Sequence, residues 1–282
     1  MNMQATIPHM LAAELKIRAL RASVLTALIG YRNGSAHMSS SLSCVEALTA
    51  AFDFKRMFPK TEIILSKGHA SAAQYAAMSQ TGFLEANQLI NFGKEGSNFS
   101  IHLSQDKNIP LSTGSLGHGL SFGVGIGISN LINELNYKTI VLIGDGESNE
   151  GSVWEAASIA GRLHLNDLIL LIDYNQVQAA GTYQEISGNQ DLTSKYQSFG
   201  WIVKKISAHD PNSIYSELQI NESEPKVIIL DSQENPSLEF MQNSVEWHYR
   251  NPTESDIVKM INVLNAKKFA LDILELFNCE KL

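Results

Sequence analysis

Residues 139–181 read TIVLIGDGESNEGSVWEAASIAGRLHLNDLILLIDYNQVQAAG. The stretch begins with an apolar run at 139–143, which is typical of a buried strand. A glycine turn follows at 144–146, then a run at 152–163 that favours a helix, and then a second apolar run at 168–172. This order of strand, glycine turn, helix and strand predicts one βαβ unit of a parallel sheet.

Two oxygen-bearing side chains follow the strands of this unit. Asp145 and Asn175 lie just past the carboxyl ends of the two apolar runs. Because open α/β sheets bind ligands at that edge, we expect both side chains to face one site. Carboxylate and amide oxygens suit Mg²⁺, and Gly144 and Gly146 leave backbone amides open to phosphate oxygens. The alternative is a strand-end turn capped by an aspartate, with an unrelated asparagine turn further on.

This stretch and two segments upstream of it resemble the transketolase family of thiamine diphosphate enzymes. The upstream segments are LSKGHA at 65–70 and LSTGSLGHGLSFGVGIG at 111–127. The resemblance runs from about residue 10 to the last helix. It implies an α/β protein with a three-layer α/β/α fold and a mostly parallel sheet. It also implies that residues 1–282 form a single domain, the half that binds the diphosphate of the cofactor.

The ligands of this half are implied by the same resemblance. Mg²⁺, or Ca²⁺ or Mn²⁺ in its place, is expected on the side chains of Asp145 and Asn175 and on the main-chain carbonyl of Val177. The positions that match cofactor-contacting residues are Gly114, Ser115, Leu116, His118, Gly144, Gly146, Glu147, Glu150 and Asn175. Glu150 has a second explanation, because a carboxylate in the first turn of a helix also favours the positive end of its dipole.

Four histidines match the positions at which the family contacts its sugar or moves protons. They are the expected catalytic residues His37, His69, His102 and His248. Taken singly, each is more often a surface or capping residue. Two stretches depart from the family pattern: Ala36, Ser39 and Ser40 replace glycines, and residues 233–236 replace a lysine- and glycine-rich stretch.

Composition and charge narrow the class of protein. The 282 residues are 44% hydrophobic, which suits one large globular α/β domain. A net charge of −8 without a basic cluster argues against a nucleic-acid surface. Two distant cysteines, Cys44 and Cys279, indicate a reducing compartment. With neither a signal peptide nor an apolar run of membrane-spanning length in the sequence, we expect a soluble, cytoplasmic protein.

The remaining periodicity predicts a helix at 11–29 that stops at Gly30 and another that opens at residue 45. It also predicts strands at 62–65, 202–206 and 226–230, and one final amphipathic helix at 254–277. Glycine is unfavourable inside a helix, so the many glycines at 111–131 indicate that another group packs closely against this segment, either another helix or the cofactor.

In the family, pyrimidine-binding and C-terminal domains follow this half, and the glutamate that activates the cofactor belongs to them. We therefore expect the N-terminal subunit of a split transketolase, which transfers a two-carbon ketol unit from a ketose, expected to be phosphorylated, to an aldose. The expected assembly is a homodimer within a heterotetramer that includes the C-terminal subunit. Two alternatives stay open: a non-catalytic module that keeps the fold, or the matching half of a deoxyxylulose-phosphate synthase or keto acid dehydrogenase.

Overall fold

A five-stranded parallel sheet forms the middle of the protein. The computed structural model describes residues 9–34, 37–178, 181–188, 190–232, 247 and 250–277. The sheet strands are β1 (Glu62–Leu65), β2 (Thr139–Gly144), β3 (Leu168–Tyr174), β6 (Ile202–Ser207) and β7 (Lys226–Asp231), and a short hairpin contributes β4 (Val177–Gln178) and β5 (Gly181–Thr182). The sheet order is β1-β2-β3-β7-β6. All four strand pairs are parallel, so the carboxyl ends of all five strands meet at one edge.

The side chains of each central strand alternate between two hydrophobic cores. In β2, Ile140 and Leu142 enter one core, whereas Val141 and Ile143 enter the other. A strand buried on both faces needs a continuous apolar run, and this is why 139–143 lacks a charged residue. The sheet is thus covered on both sides.

Helices supply the two outer layers. The helices are α1 (His9–Asn33), α2 (Met38–Leu42), α3 (Val45–Met57), α4 (Ser71–Gln80), α5 (His118–Ile132), α6 (Gly151–Arg162), α7 (Tyr183–Ser187), α8 (Leu192–Ser198), α9 (Pro211–Gln219), α10 (Glu254–Val263) and α11 (Lys267–Leu276). The first core contains apolar residues of α1, α3, α4, α9, α10 and α11, and the second contains those of α5, α6 and α8. The expected three-layer α/β/α fold with a parallel sheet is confirmed.

Two helix boundaries differ from the sequence prediction. α1 continues through the buried Gly30 to Asn33 and ends at Gly34, whose φ of +61° suits the left-handed turn that closes a helix. The final helix is broken into α10 and α11 at Asn265, which has φ of +49°. Asparagine adopts this conformation more readily than most residues. The spacing of apolar residues continues unchanged across the turn, so that spacing alone does not show where the helix is broken.

In the described part of the chain, no helix combines the length and the apolar character that a membrane span requires.

Candidate functional site

A cavity of about 480 Å³ opens at the carboxyl edge of the sheet. Its walls are formed by His37, Ser40, Lys67, His69, His102, Gly114, Leu116, Gly144, Asp145, Gly146, Glu147, Asn149, Glu150, Asn175, Val177 and Gln178. A second cavity, of about 620 Å³, lies at the opposite edge beside Phe58, Tyr137 and Asn166. It contains none of the predicted site residues, and parallel sheets bind ligands at the carboxyl edge, so we take the first cavity as the site.

One corner of the cavity is built from Asp145 and the loop after β3. Asp145 directly follows β2, and Gly144 pairs with Asp173 of β3, which brings Asn175 to the same corner. The backbone amide of Gln176 donates to Asp145 Oδ2 at 2.7 Å, and that of Val177 donates to Asn175 Oδ1 at 2.9 Å. The Asp145 carboxylate is therefore hydrogen-bonded to the loop that carries Asn175, the second expected metal-binding side chain.

Burial makes this corner suited to a cation. Asp145 is 2% exposed, and burial, with the nearby charge of Asp173, raises its pKa to about 7 despite the opposing effects of the Gln176 amide and of Lys67. A divalent cation bound here would hold the carboxylate ionised. Carboxylate, amide and carbonyl oxygens match the ligands of Mg²⁺. Clusters of three or more His, Cys, Asp or Glu suited to a metal are absent from the described ranges.

Glu147 joins three segments around the glycine turn. Its Oε1 accepts hydrogen bonds from the Ser66 hydroxyl at 2.5 Å and from the Gly117 amide at 2.8 Å. Its Oε2 accepts from the Gly144 amide at 2.8 Å. Burial raises the pKa of this carboxyl, against these three hydrogen bonds. The turn expected to receive the diphosphate is thus fixed to the ends of β1 and β2 and to the start of α5.

Three of the four expected catalytic histidines line the same cavity. His37 precedes α2 and His69 follows β1, and their ring centroids are 5.0 Å apart with the rings edge to face. His102 approaches from the irregular loop before α5, within 3.7 Å of the position that a Cβ on Gly114 would take. His248, the fourth, lies outside the described residues, as does the stretch 233–236.

Most of the expected cofactor residues are also found on the cavity wall: Gly114, Leu116, Gly144, Gly146, Glu147, Glu150 and Asn175. Ser115 and His118 are not part of that wall, and the His118 ring nitrogen Nδ1 lies 3.1 Å from the carbonyl of Leu116. Glu150 precedes α6 as its capping residue instead of lying in the first turn. Its side chain covers Gly117, where an added Cβ would lie 2.6 Å from Glu150 Cβ.

Sequence reasoning missed four residues of the wall: Ser40, Lys67, Asn149 and Gln178. It also missed the buried Asp173 behind Lys67. Lys67 lies within the quoted LSKGHA segment, and Asp173 lies two residues before Asn175. A charged residue inside an otherwise apolar strand was the available signal for Asp173, because such a residue requires a partner.

The family model described as "Transketolase, thiamine diphosphate binding domain" matches residues 30–234, which include every described residue of the cavity wall. The chain belongs to the transketolase family. It therefore contains a transketolase-type domain that binds thiamine diphosphate.

Two curated transketolase subunits are similar to this chain over most of their own length. An apulose-4-phosphate transketolase subunit from Phocaeicola vulgatus is 31% identical over 251 residues, which cover 85% of this chain and 89% of that protein. The 6-deoxy-6-sulfo-D-fructose transketolase subunit SqwG of a Clostridium species is 33% identical over 235 residues, which cover 78% of this chain and 85% of that protein.

A solved transketolase from Campylobacter jejuni has the same fold, with a TM-score of 0.77 at 19% identity. The match covers 96% of this chain and 47% of the solved one, so this chain spans about half the length of that transketolase. At this identity the likeness supports the fold and nothing finer.

Proposed function

We propose that this chain is the thiamine diphosphate-binding subunit of a two-chain transketolase of the EC 2.2.1 class, which transfers a two-carbon ketol unit from a ketose to an aldose. The observation that carries the proposal is a single cavity in which the Asp145 and Asn175 corner faces His37, His69 and His102. Ligand binding to one end of that cavity leaves the histidines free to act on a sugar at the other.

In this proposal the side chains of Asp145 and Asn175 and the carbonyl of Val177 would hold Mg²⁺, which would offset the negative charge of the diphosphate. Gly144 and Gly146 add no side chain to the cavity wall, so phosphate oxygens could approach the backbone of this turn. The cofactor supplies an electron sink next to the sugar carbonyl, and the protein supplies binding, orientation and electrostatics.

The histidines are proposed to bind the sugar hydroxyls and to move protons on the sugar. Imidazole changes its charge near neutral pH, which suits a group that must both accept and donate a proton. His37 and His69 come from different loops, so two ring nitrogens from separate segments reach one substrate.

The partner in this proposal is a second chain that supplies the glutamate that activates the cofactor. Two relatives that this chain matches over most of their own length are named as subunits of transketolases, which supports a two-chain enzyme. We propose a heterotetramer with a homodimer of this chain at its centre. The relatives' names mention a sugar phosphate and a sulfo-sugar, so ketoses with a terminal phosphate or sulfonate are the first substrates to test.

The metal site is tested by replacing Asp145 with alanine. We expect Asp145→Ala to abolish magnesium-dependent binding of thiamine diphosphate, measured by titration calorimetry, because the bridging cation loses its carboxylate. Asp272→Ala, which removes an exposed carboxylate from α11, is the control and should bind as the wild type does. Equal cofactor affinity in Asp145→Ala, or in the wild type with EDTA, would rule out the assignment.

The two-chain proposal is tested by reconstitution. The chain alone, saturated with Mg²⁺ and thiamine diphosphate, should not transfer ketol units from any ketose. Addition of a C-terminal transketolase subunit from the same genome should restore the activity, with both chains in equal number in the active species. Ketol transfer by this chain alone would contradict the need for a partner.

A further inference from the structure

Asp173 is the centre of a buried group formed with Ser43, Lys67 and Ser232, called here the Asp173 cluster. Lys67 Nζ lies 2.5 Å from Asp173 Oδ2, and the Ser43 hydroxyl donates to the same oxygen at 2.5 Å. The Ser232 hydroxyl donates to Oδ1 at 2.6 Å. Asp173 is 0% exposed and Lys67 is 2% exposed, so the ion pair is almost completely buried.

Each member of the Asp173 cluster belongs to a different segment of the site. Ser43 follows α2, which begins directly after His37. Lys67 lies between β1 and His69, and Ser232 directly follows β7. Asp173 itself is two residues before the metal-corner residue Asn175. One carboxylate therefore ties the histidine-bearing segments to the strand that ends at the metal corner.

Lys67 reaches Asp173 by crossing the end of β2. The sheet order places β2 between β1 and β3, and Gly144 is paired with Asp173. A Cβ built on Gly144 would lie 3.8 Å from Lys67 Cδ, so the lysine stem lies over this glycine. Lys67 also lines the cavity, together with His37, His69 and the metal corner.

The ammonium of Lys67 stays charged in this position. Burial alone lowers a lysine pKa, but the charge of Asp173 and its hydrogen bond more than offset that effect, and the net pKa of Lys67 lies above its ordinary value. A charged pair of this kind is held in one geometry, because neither group can turn away without losing its compensating charge.

We propose that Lys67 and Asp173 form a positioning pair that holds His37 and His69 at the distance from the Asp145 and Asn175 corner that sugar turnover requires. The inference rests on the proposed function and adds two residues to it. In this proposal both residues act through the histidine segments.

The geometric part of the proposal is tested without enzyme activity. In the chain labelled on its histidines, an NMR cross-peak between the ring protons of His37 and His69 is expected, since their centroids are 5.0 Å apart. Lys67→Met should remove this cross-peak. The matched control is Lys226→Met, which removes an equally buried lysine whose Nζ donates to the carbonyls of Glu217 and Ile220, away from the cavity.

The functional part is measured in the reconstituted two-chain enzyme. Lys67→Met should lower kcat/KM for the ketose at least about tenfold, since a misplacement of about 1 Å costs about a hundredfold. The metal ligands are unchanged, so we expect no misplacement at the metal corner. The affinity of Lys67→Met for thiamine diphosphate with Mg²⁺ should therefore stay within about threefold of the wild type. Lys226→Met should leave both quantities unchanged.

A double variant separates positioning from stability. Lys67→Met/Asp173→Leu removes both charges, and should regain thermal stability relative to Lys67→Met while the cross-peak and the kcat/KM stay lost. Recovery of the cross-peak and the kcat/KM together with stability would overturn the proposal, as would an intact cross-peak in Lys67→Met. Loss of cofactor binding in Lys67→Met as complete as in Asp145→Ala would also overturn it.

If Lys67→Met does not fold, Ser43→Ala provides the milder test, because it removes one hydrogen bond to Asp173 without leaving a buried charge unpaired. It should weaken the His37–His69 cross-peak and lower kcat/KM severalfold; unchanged values of both would contradict the proposal. Absence of ketol transfer by the wild-type enzyme would count against the proposed function, while the cross-peak test would still decide the positioning role.

Discussion

His209 links two segments of the protein beside the Asp173 cluster. Its Nδ1 lies 3.3 Å from Glu46 Oε1 in α3, and its Nε2 lies 3.5 Å from the carbonyl of Ser232. Burial lowers the pKa of the ring, but the Glu46 carboxylate, the Ser232 carbonyl and the charge of Asp173 outweigh it and raise the pKa above its ordinary value of 6.5. The ring is therefore protonated more readily in the folded than in the unfolded chain.

This shift predicts a pH dependence of stability. Because the folded-state pKa is raised, the stabilising contribution of His209 is complete below about pH 6.5 and is lost as pH rises through the folded-state pKa. The free energy of urea unfolding should fall more steeply above about pH 6.5 in the wild type than in His209→Gln. The exposed His164→Gln variant is a control for general histidine effects. Parallel profiles for wild type and His209→Gln would contradict the prediction.

At the residue scale, the sequence predicted those candidate site residues that lie directly beside a recognisable pattern along the chain. Asp145 and Asn175 follow apolar strands directly, and parallel topology then requires them to meet. Lys67 and Asp173 were missed because they are 106 residues apart and their pairing depends on β2 lying between them. Local periodicity predicts where strands occur, but it does not predict their order in the sheet.

At the element scale, the glycines of α5 are explained by the sheet beneath the helix. A Cβ on Gly119 would lie 2.4 Å from Ser66 Cβ, and a Cβ on Gly123 would lie 2.5 Å from Val141 Cγ2. The sequence called for a close neighbour, either another helix or the cofactor; at these two positions that neighbour is the end of β1 and the middle of β2. Close approach also lets the Gly119 amide donate to the Ser66 hydroxyl at 3.1 Å.

Two glycines of α5 should therefore respond oppositely to alanine. Gly119→Ala should lower the free energy of unfolding by about 1–3 kcal/mol, because the added methyl overlaps Ser66. Gly125 has open space around its Cβ position, so Gly125→Ala should raise it by up to about 1 kcal/mol through helix propensity. Urea unfolding of the isolated chain measures both. A similar change in the two variants would show that the sheet contact does not explain these glycines.

The break between α10 and α11 shows the limit of periodicity at the same scale. Apolar residues on both sides of Asn265 enter the first core, so their spacing reads as one helix. Asn265 turns the backbone by adopting a positive φ, which asparagine tolerates. The spacing of hydrophobic residues carries no information about this backbone angle. The prediction of helix type held for these residues, whereas the prediction of continuity was wrong.

At the scale of the whole molecule, apolar side chains remain exposed on and beside α5. The group consists of Leu116, Phe122, Leu131 and Ile132. Contiguous exposed apolar surface marks an interaction site more often than an ordinary surface. We therefore expect the proposed homodimer to form through α5. The five strands of the parallel sheet were predicted from the sequence because each is a short, mostly apolar run, whereas β4 and β5 are too short to show such a pattern.

A charge on this surface should disrupt the proposed homodimer. Phe122→Glu should shift the chain toward monomer in sedimentation velocity, because a carboxylate would be buried without a partner. Leu271→Glu introduces the same charge at an exposed apolar position of α11, which lies in the opposite layer, and should leave the sedimentation unchanged. An equal shift in both variants, or none in Phe122→Glu, would remove α5 from the interface.

The register of the central sheet also has a consequence for the order of folding. Thr139 pairs with Leu168 across one short crossover, whereas Glu62 pairs with Thr139 across more than twice that length of chain. The longer loop costs about 1 kcal/mol more conformational entropy to close, so β2, α6 and β3 should assemble first. Pulsed hydrogen exchange during refolding should then protect amides of β2 and β3 before those of β1; simultaneous protection would contradict this order. The newly made chain would thus form the turn proposed to bind the cation before the wall proposed to face the sugar.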